Sequence, residues 1–318
     1  MAMHDPLPRP VATACPYCGV GCGVIAGVGA GGRVTVAGDP SHPANRGRLC
    51  VKGSALGETV GLEGRLLHPM LRARSGTMQR VSWETALDAV AGGFARALRE
   101  RGPDAIAFYL SGQLLTEDYY VANKLMKGFL GSANVDTNSR LCMASSVAGH
   151  RRAFGSDTVP GTYEDLDEAN LLVLVGSNAA WCHPILWQRM VANQAARGAR
   201  IVVIDPRRTA TAAEADLVLQ IRPGMDGTLF AGLLVHLADG GHCDRAYLDA
   251  HTTGFVEALA RAREIAPTIA ATAAVTGLDA GDVAALFGWF AATPRAVTLF
   301  SQGVNQSAQG TDKVSAIL

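Results

Sequence analysis

The hydrophobic pattern of this 318-residue chain alternates between short apolar runs and longer amphipathic stretches. Two runs, residues 171–175 and 201–204, are apolar at every position, which is typical of parallel strands covered on both faces. Between them, residues 184–197 begin with proline and are followed by Gly198, the usual residues at the two ends of a helix. This alternation predicts an α/β fold built on a doubly wound parallel sheet.

Further elements extend this pattern in both directions. From Ser82, a typical N-cap residue, apolar residues recur at helical spacing up to Gly102. A buried strand is predicted next at residues 105–110, and a helix at 116–130. Beyond residue 204 we predict strands at 217–221 and 296–300, and helices at 227–238, 255–264 and 280–292.

The first part of the chain differs in pattern from the rest. It is loop-rich, with crowded cysteines, a Gly-Ala-Gly-Gly turn at residues 29–32 and one short strand at 33–36. A segment with so little apolar periodicity has little core of its own, so we predict a small module organised by a bound ligand. We therefore divide the chain into this module, residues 1–66, and an α/β region of two interleaved subdomains, residues 67–318.

Composition limits the classes of partner. The chain is 48% hydrophobic and balances 28 basic against 28 acidic residues, so neither a nucleic-acid nor a membrane surface is indicated. Residues 11–32 are uncharged, but their proline, cysteines and glycines suit neither a spanning helix nor a signal peptide. Only Arg9 precedes this segment as a basic residue, and there is no Arg-Arg pair. We predict a cytoplasmic protein.

Four of the seven cysteines form the most specific pattern in the chain. Cys15, Cys18, Cys22 and Cys50 follow the spacing C-x2-C-x3-C-x27-C, and four thiolates suit either tetrahedral zinc or an iron-sulfur cluster. Zinc ribbons usually pair two C-x2-C knuckles, whereas three crowded ligands and one remote ligand suit the corners of a cubane. The spacing favours a cluster over zinc, with inert buried thiols as a third alternative.

Other reactive side chains are less specific on their own. Lys52 follows Cys50 by two positions, and spacing alone does not separate a functional amine from a solvated one. Cys142 lies between a polar loop and a predicted helix, where a thiol makes a soft metal ligand or a nucleophile, although a buried core residue is the alternative. Cys182 and Cys243 are interpreted as small buried core residues.

Two polar motifs follow neighbouring predicted strands. Gly176-Ser177-Asn178 comes directly after the first, and Asp205-Pro206-Arg207-Arg208-Thr209 comes after the second. Open α/β sheets bind ligands at this edge, where loop N–H groups meet phosphate, an acid holds a ribose or purine edge and arginines hold a pyrophosphate. No G-x-G-x-x-G is present, and a capped turn with solvated charges is the alternative. The pair of motifs predicts a nucleotide-bearing ligand.

Six segments occur in an order that resembles a known family. They are CPYCGVGCGV (15–24), LCVKG (49–53), SGQLLTEDYYVANKLMKGF (111–129), NSRLCMASS (138–146), VGSNAAWCHP (175–184) and DPRRTAT (205–211). Together they resemble the molybdopterin oxidoreductases, and within that family the branch of the large catalytic subunits of bacterial assimilatory nitrate reductases. The resemblance runs from about residue 11 to the end of the chain.

This resemblance implies a set of cofactors and the residues that hold them. It implies a [4Fe-4S] cluster on Cys15, Cys18, Cys22 and Cys50, and molybdenum held by two molybdopterin guanine dinucleotides. Cys142 matches the position of the thiolate ligand of molybdenum, and Lys52 matches a lysine between cluster and pterin. The matching pterin or nucleotide contacts are Gln113, Asn138, Gly176, Ser177, Asn178, His183, Asp205, Arg207, Arg208, Thr209, Gly224, Asp226, Gln302 and Gln306.

The resemblance also implies an activity: reduction of nitrate to nitrite by oxygen-atom transfer, with electrons entering through the cluster from a ferredoxin, a flavodoxin or an NADH-dependent partner. Formate dehydrogenases are an alternative, but their metal ligand is followed by histidine, whereas Met143 follows Cys142 here. A non-catalytic iron-sulfur module for electron transfer is another. Because family members are considerably longer, we expect an N-terminal fragment that lacks a C-terminal domain.

Overall fold

The structure is a computed structural model that describes residues 9–318, apart from the side chains of residues 30, 139 and 140. The chain forms two compact units. The first unit extends up to Thr59 and resumes from Ser145 to Leu318, and the second unit is Val60–Ala144. The module boundary that we place at residue 66 stays a prediction.

The strands of the described residues are β1 (Val11–Ala14), β2 (Gly23–Val28), β3 (Val34–Gly38), β4 (Met70–Arg72), β5 (Met78–Arg80), β6 (Phe108–Leu110), β7 (Val135–Thr137), β8 (Leu171–Val175), β9 (Arg200–Ile204), β10 (Leu217–Leu219) and β11 (Ala296–Phe300). The α-helices of the same residues are α1 (Val51–Ser54), α2 (Trp83–Arg101), α3 (Thr116–Asn123), α4 (Ser139–Cys142), α5 (Ala144–Phe154), α6 (Tyr163–Glu168), α7 (Ala179–Cys182), α8 (Pro184–Arg197), α9 (Asp226–Asp239), α10 (Arg245–His251), α11 (Phe255–Ile265), α12 (Ile269–Thr276), α13 (Ala280–Ala292), α14 (Gln302–Asn305) and α15 (Gly310–Ile317).

The first unit is built on a four-stranded parallel sheet with the order β10-β9-β8-β11. Alternate residues of β8 enter two different cores. Leu171, Val173 and Val175 pack with the residues of α9, α12 and α13, whereas Leu172 and Leu174 pack with those of α6, α7 and α8. Because both faces are covered, every position of β8 is buried, which explains its unbroken apolar run. The prediction of a doubly wound parallel α/β fold is confirmed.

The strand order contains a reversal that positions the site. The chain runs outward from β8 to β9 and β10, and then returns to place β11 on the other side of β8. At such a switch point, the loops after the two central strands diverge and leave a crevice at the carboxyl edge of the sheet. In this structure the switch point lies between β8 and β11.

A small antiparallel sheet, β1-β2-β3, accompanies the parallel sheet in the first unit. The crowded cysteines lie in the connection between β1 and β2, and Cys15 N donates to Cys22 O at 2.8 Å across it. The sequence pattern does not predict β1 and β2, because every residue of β1 is exposed and apolar alternation is weak there. The predicted strand at residues 33–36 is found as β3.

The second unit contains a β4-β5 hairpin, a parallel β6-β7 pair and the helices α2 and α3. The helix α2 begins as predicted, since Ser82 Oγ accepts a hydrogen bond from Thr85 N at 3.1 Å. The predicted helix at 116–130 is α3 followed by a π-helical segment, Lys124–Leu130.

One expectation for this unit was wrong. The strand predicted at residues 105–110 starts only at Phe108, because Pro103–Ala105 forms a 3-10 turn. Tyr109 at its centre is 68% exposed, so the strand is not buried. The apolar face of α2 is partly exposed: Trp83 is 66% exposed and Leu87 is exposed as well, whereas Phe94 is half-buried and its ring lies 6.0 Å from that of Phe108.

Candidate functional site

Four cysteine side chains line one small pocket in the first unit. Cys15, Cys18 and Cys22 come from the β1–β2 connection, and Cys50 is the residue before α1. Residues 184–185, at the start of α8, close another side of the pocket. None of the four is in a disulfide. The structure therefore brings the remote fourth thiol of the sequence pattern to the three crowded ones.

The buried amide of Asn45 ties the two cysteine-bearing segments together. Its Oδ1 accepts from Gly23 N at 2.8 Å, and its Nδ2 donates to Gly23 O at 2.9 Å and to Arg48 O at 2.8 Å. Gly23 directly follows Cys22, and Arg48 precedes Cys50 by two residues. Asn45 is 1% exposed, so its three hydrogen bonds face no competition from water. The relative position of the two segments is thus fixed by the protein itself.

The chemistry of the pocket fits a sulfur-ligated cluster. Burial, followed by the charges of Cys18, Cys15 and Cys50, raises the pKa of Cys22 to about 11, which shows that the four sulfur atoms lie within electrostatic range of one another. Metal binding displaces such thiol protons. Within residues 9–318, no three His, Cys, Asp or Glu side chains are gathered as a ready-made site for one metal ion. The fit to a cluster is carried by the four-thiol donor set and by an apolar lining that limits access of water.

Lys52 and His183 connect the thiol pocket to the parallel sheet. Lys52 lies in α1, two residues after Cys50, and its side chain is exposed. Burial, together with the positive charge of Lys52, lowers the pKa of His183. His183 directly precedes α8, whose first residues line the thiol pocket, and it ends the loop region that follows β8. Two predicted cofactor residues from distant parts of the sequence are therefore neighbours.

The loops that follow β8 and β11 are in direct contact at the switch point. Ser177 Oγ lies 3.0 Å from Ser301 Oγ, and Gly303 N donates to Gly176 O at 3.1 Å. A Cβ atom on Gly176 or on Gly303 would lie within 2.7–3.0 Å of the backbone of the other residue, and Gly176 has a φ of +53°. The backbones can approach this closely only because both residues are glycine. The predicted contacts Gln302 and Gln306 flank the same contact, at the start of α14 and just after its end.

We expect Gly303→Ala to destabilise the first unit by about 1–3 kcal/mol, since the added methyl group has no room against the backbone of Gly176. The matched control is Gly288→Ala in the interior of α13, where a Cβ meets no atom within 4 Å and alanine favours the helix by about 1 kcal/mol. Urea unfolding followed by circular dichroism measures both. Equal midpoints for the two variants would contradict the tight contact.

The side chain of Asn178 is oriented by the segment after β9. Thr211 Oγ1 donates to Asn178 Oδ1 at 2.8 Å and accepts from Ala180 N at 3.1 Å. Thr211 is fully buried, so this link between the two sheet-edge segments is shielded from water.

The motif that follows β9 forms a capped turn. The buried carboxylate of Asp205 accepts a hydrogen bond from Arg207 N at 2.8 Å. This is the capped turn that the sequence allowed as an alternative to a ligand-binding motif. The side chains of Arg207 and Arg208 are exposed and form no ion pair with a described residue. Thr209 Oγ1 is enclosed, yet it has no hydrogen-bond partner among residues 9–318. The turn thus leaves two guanidinium groups and one hydroxyl at the ligand-binding edge.

The predicted contact Asp226 forms an ion pair with Lys313, which the sequence pattern does not indicate. Asp226 begins α9, and its carboxylate lies 3.0 Å from Nζ of Lys313 in α15, with both side chains buried. Gly224, two residues earlier, has a φ of +92°, which glycine adopts without strain. The roles of Gly224 and Asp226 toward a nucleotide stay predictions.

Three predicted residues of the second unit share one edge of its parallel strand pair. Gln113 follows β6, and Asn138 follows β7. Asn138 Oδ1 accepts from the N–H of Gly112, and Asn138 O accepts from Cys142 N at 3.0 Å. Cys142 ends α4 and is half-buried. The structure therefore gathers Gln113, Asn138 and Cys142 within this unit.

The expectation for Cys182 was wrong. It is exposed rather than buried, because it ends the one-turn helix α7 at the edge of the sheet. Cys243 is half-buried. Asn45, Lys313 and the ion pair of Arg189 with Asp167 were missed altogether. No local spacing indicates them, because each contacts residues far away in the sequence.

A four-thiol pocket and the ligand-binding edge of a doubly wound sheet indicate a protein with a sulfur-ligated metal site and a second binding region for a phosphate-bearing group. Comparison with known families specifies the class. Residues 9–61 match the Fe4S4 domain of molybdopterin oxidoreductases, and residues 65–318 match the molybdopterin oxidoreductase family itself. The chain belongs to the molybdopterin oxidoreductase family, as its motifs predict. These matches associate the chain with a molybdopterin cofactor and a [4Fe-4S] cluster, and the cluster prevails over the zinc alternative.

Individual relatives are similar along most of the chain. A nitrate reductase of Klebsiella oxytoca is 53% identical over 311 residues, which are 96% of this chain and 34% of the relative. A periplasmic nitrate reductase of Desulfovibrio desulfuricans is 45% identical over 67% of this chain and 28% of the relative. Among solved structures, acetylene hydratase from Pelobacter acetylenicus matches with a TM-score of 0.82 at 25% identity, over 96% of this chain and 42% of that protein.

The chain thus spans about a third of the length of the nitrate reductases it matches. The similar proteins are not all named for the same reaction: the solved structure is called a hydratase, whereas the sequence relatives are called reductases. A shared fold therefore does not specify the reaction. Among the described residues, no helix combines the length and the apolar character needed to cross a bilayer.

Proposed function

We propose that this chain is the cluster-bearing and cofactor-binding part of a molybdenum-dependent nitrate reductase, which reduces nitrate to nitrite. The observation that carries the proposal is the 53% identity with a nitrate reductase over 96% of this chain. The matched region includes the thiol pocket, the sheet-edge loops and Cys142. The methionine after Cys142 supports nitrate over formate as the substrate, since the family resemblance associates formate dehydrogenases with a histidine there.

We further propose that the molybdenum cofactor carries two guanine dinucleotides, as the family resemblance implies. The edge of the first unit offers the exposed guanidinium groups of Arg207 and Arg208, which suit a pyrophosphate. When bound, the cofactor supplies a metal that exchanges two electrons during transfer of an oxygen atom.

The chain's own residues have three tasks in this proposal. Cys142 presents a soft thiolate to the metal, held at its place by the backbone hydrogen bond to Asn138. Cys15, Cys18, Cys22 and Cys50 hold the one-electron cluster. Lys52 places a positive charge between the thiol pocket and the loop after β8, where it attracts the anionic parts of the cofactor.

Electrons would enter at the cluster from a ferredoxin, a flavodoxin or an NADH-dependent reductase. We propose a role in nitrate assimilation in the cytoplasm, the role that the resemblance of the sequence motifs to assimilatory nitrate reductases implies. A periplasmic relative is also similar, so fractionation of cells that express the protein tests the compartment.

Metal analysis and two activity assays test the proposed function. The purified chain, matured in cells that make molybdenum cofactor, should contain iron and molybdenum and should form nitrite from nitrate with reduced viologen. Iron without molybdenum would support the non-catalytic electron-transfer alternative instead. Formate-dependent dye reduction without nitrite formation would overturn nitrate as the substrate.

Replacing Lys52 with methionine should lower viologen-dependent nitrite formation about 10- to 100-fold, the usual cost of losing a group just outside a metal site. The iron and molybdenum contents should stay unchanged, because no cysteine is altered. Lys127→Met is the matched control, since Lys127 is an exposed lysine of the π-helical segment. Equal activities of the two variants would exclude a functional role for Lys52.

A further inference from the structure

Arg189 anchors the segment that leads to Cys50. Its guanidinium donates to both carboxylate oxygens of Asp167, at 3.0 and 2.6 Å, and to the backbone oxygens of Pro43 and Ala44, at 2.9 and 3.0 Å. Arg189 is only 3% exposed, whereas the side chain of its partner Asp167 is 26% exposed. The guanidinium on α8 therefore fixes the loop before the fourth cysteine.

The charges around Arg189 are balanced. Burial alone would raise the pKa of Asp167, but hydrogen bonds and charge from Arg189, aided by Arg46, hold that pKa below its ordinary value. Arg46 lies 3.0 Å from Asp167, and Glu164 lies 3.7 Å from Arg189. Two positive and two negative groups face one another, so the network brings no net charge to the thiol pocket. Its effect on the pocket is geometric.

Tyr163 extends this network to the other cysteine segment. Its ring lies 5.7 Å from the guanidinium carbon of Arg189, and its hydroxyl donates to Val20 O at 3.1 Å and to Gly19 O at 3.3 Å. Both carbonyl groups lie between Cys18 and Cys22. Burial, followed by the charges of these two cysteines, raises the pKa of Tyr163, so its hydroxyl keeps the proton that it donates.

The hydrogen bonds of Tyr163 determine how the cysteine loop presents its peptide groups. In a trans peptide the N–H points opposite to the C=O, so holding the Gly19 carbonyl also orients the N–H of Val20. That N–H donates to no described acceptor, and Val20 is a buried residue that lines the thiol pocket. N–H groups near cluster sulfur stabilise the reduced, more negative state and so raise the reduction potential.

We propose that Tyr163, held in place by Arg189, is a positioning residue that fixes the backbone between Cys18 and Cys22 and thereby sets the reduction potential of the cluster. The proposal rests on the proposed function only in assuming that the four cysteines carry the cluster. It assigns to a tyrosine 141 residues beyond Cys22 a role that no cysteine spacing indicates.

Tyr163→Phe is the direct test, because it removes only the hydroxyl and leaves the ring against Arg189. We expect the iron content to stay at about four per chain. At a fixed electrode potential, the ratio of reduced to oxidised cluster should fall about threefold, or about 30 mV for a one-electron couple. The paramagnetic signal of the reduced cluster should also change in shape. Tyr247→Phe is the matched control, since Tyr247 is exposed on α10.

The measurements use the intact chain and need no nitrate. An unchanged potential and signal in Tyr163→Phe, with the parent cluster intact, would overturn the inference and leave the proposed function standing. A shifted potential in a chain that makes no nitrite would support the inference about Tyr163 and would contradict the proposed function. If Tyr163→Phe loses iron, Tyr163→Leu with cluster rebuilt in vitro separates the two roles: a normal potential would then show that Tyr163 only stabilises the fold.

Discussion

Replacing Cys142 with serine should abolish nitrate reduction and leave the cluster intact. Loss of a group just outside a metal site already costs about 10- to 100-fold in affinity or activity, so loss of the proposed ligand itself should cost at least about 100-fold. A serine hydroxyl is a harder donor than a thiolate and does not replace it. Viologen-dependent nitrite formation and the molybdenum content should fall together. The paramagnetic signal of the reduced cluster should keep the shape and intensity it has in the parent chain, since Cys142 lies outside the four-thiol pocket.

Cys243→Ser is the matched control for this experiment. Cys243 is also a half-buried cysteine, but it lies between α9 and α10 and is not among the predicted ligands. The control should retain full activity and both metals. Turnover by Cys142→Ser at the level of this control would show that Cys142 is not an essential ligand of the metal.

The second large effect is expected from Cys50→Ser. Three thiols in one loop leave a corner of the cluster without a protein ligand, so the iron content should fall from about four per chain to near zero after desalting. The visible absorbance and the paramagnetic signal should disappear with it. Retention of four irons would indicate that another residue, not Cys50, completes the site.

The fold should survive this change, which separates the loss of a ligand from misfolding. Asn45 and Arg189 hold the segment before Cys50 through hydrogen bonds to the backbone, none of which involves sulfur. Circular dichroism and the urea midpoint of Cys50→Ser should therefore match those of cluster-free parent chain. Cys243→Ser again serves as the control for the substitution itself.

The parallel sheet could be predicted from the sequence because burial on both faces leaves a continuous apolar run. The predicted limits of α8 and α13 agree with the structure, since proline and glycine flank α8 and the Asp279 side chain caps α13. The strands β1 and β2 could not be predicted in this way. Their residues pair around a cysteine loop and carry little apolar alternation, so no period of two marks them.

The residues of the candidate site also fall into those that the sequence could predict and those that it could not. Ligand cysteines and sheet-edge loops are local patterns, and local patterns are visible in a single sequence. Lys313, Tyr163 and Arg189 act through contacts to residues tens to hundreds of positions away, and each looks like an ordinary charged or aromatic helix residue in its own segment. The helix α2 shows the converse, because the helical spacing of its apolar residues is clear, yet Trp83, Leu87 and Val90 on that face are exposed.

The discontinuity of the first unit has a consequence for the order of events during synthesis. Arg189 reaches back 146 residues to the carbonyl of Pro43, and the start of α8 forms one wall of the thiol pocket. During synthesis, all four cysteines and the whole of Val60–Ala144 therefore leave the ribosome before α8 has been made, although the start of α8 helps to enclose the cysteines. Contacts so distant in sequence form late in folding, because the long intervening loop must first be closed. The nascent chain thus carries its thiols unshielded until α8 emerges, which makes cluster insertion a late event and protection of those thiols from oxygen an early need.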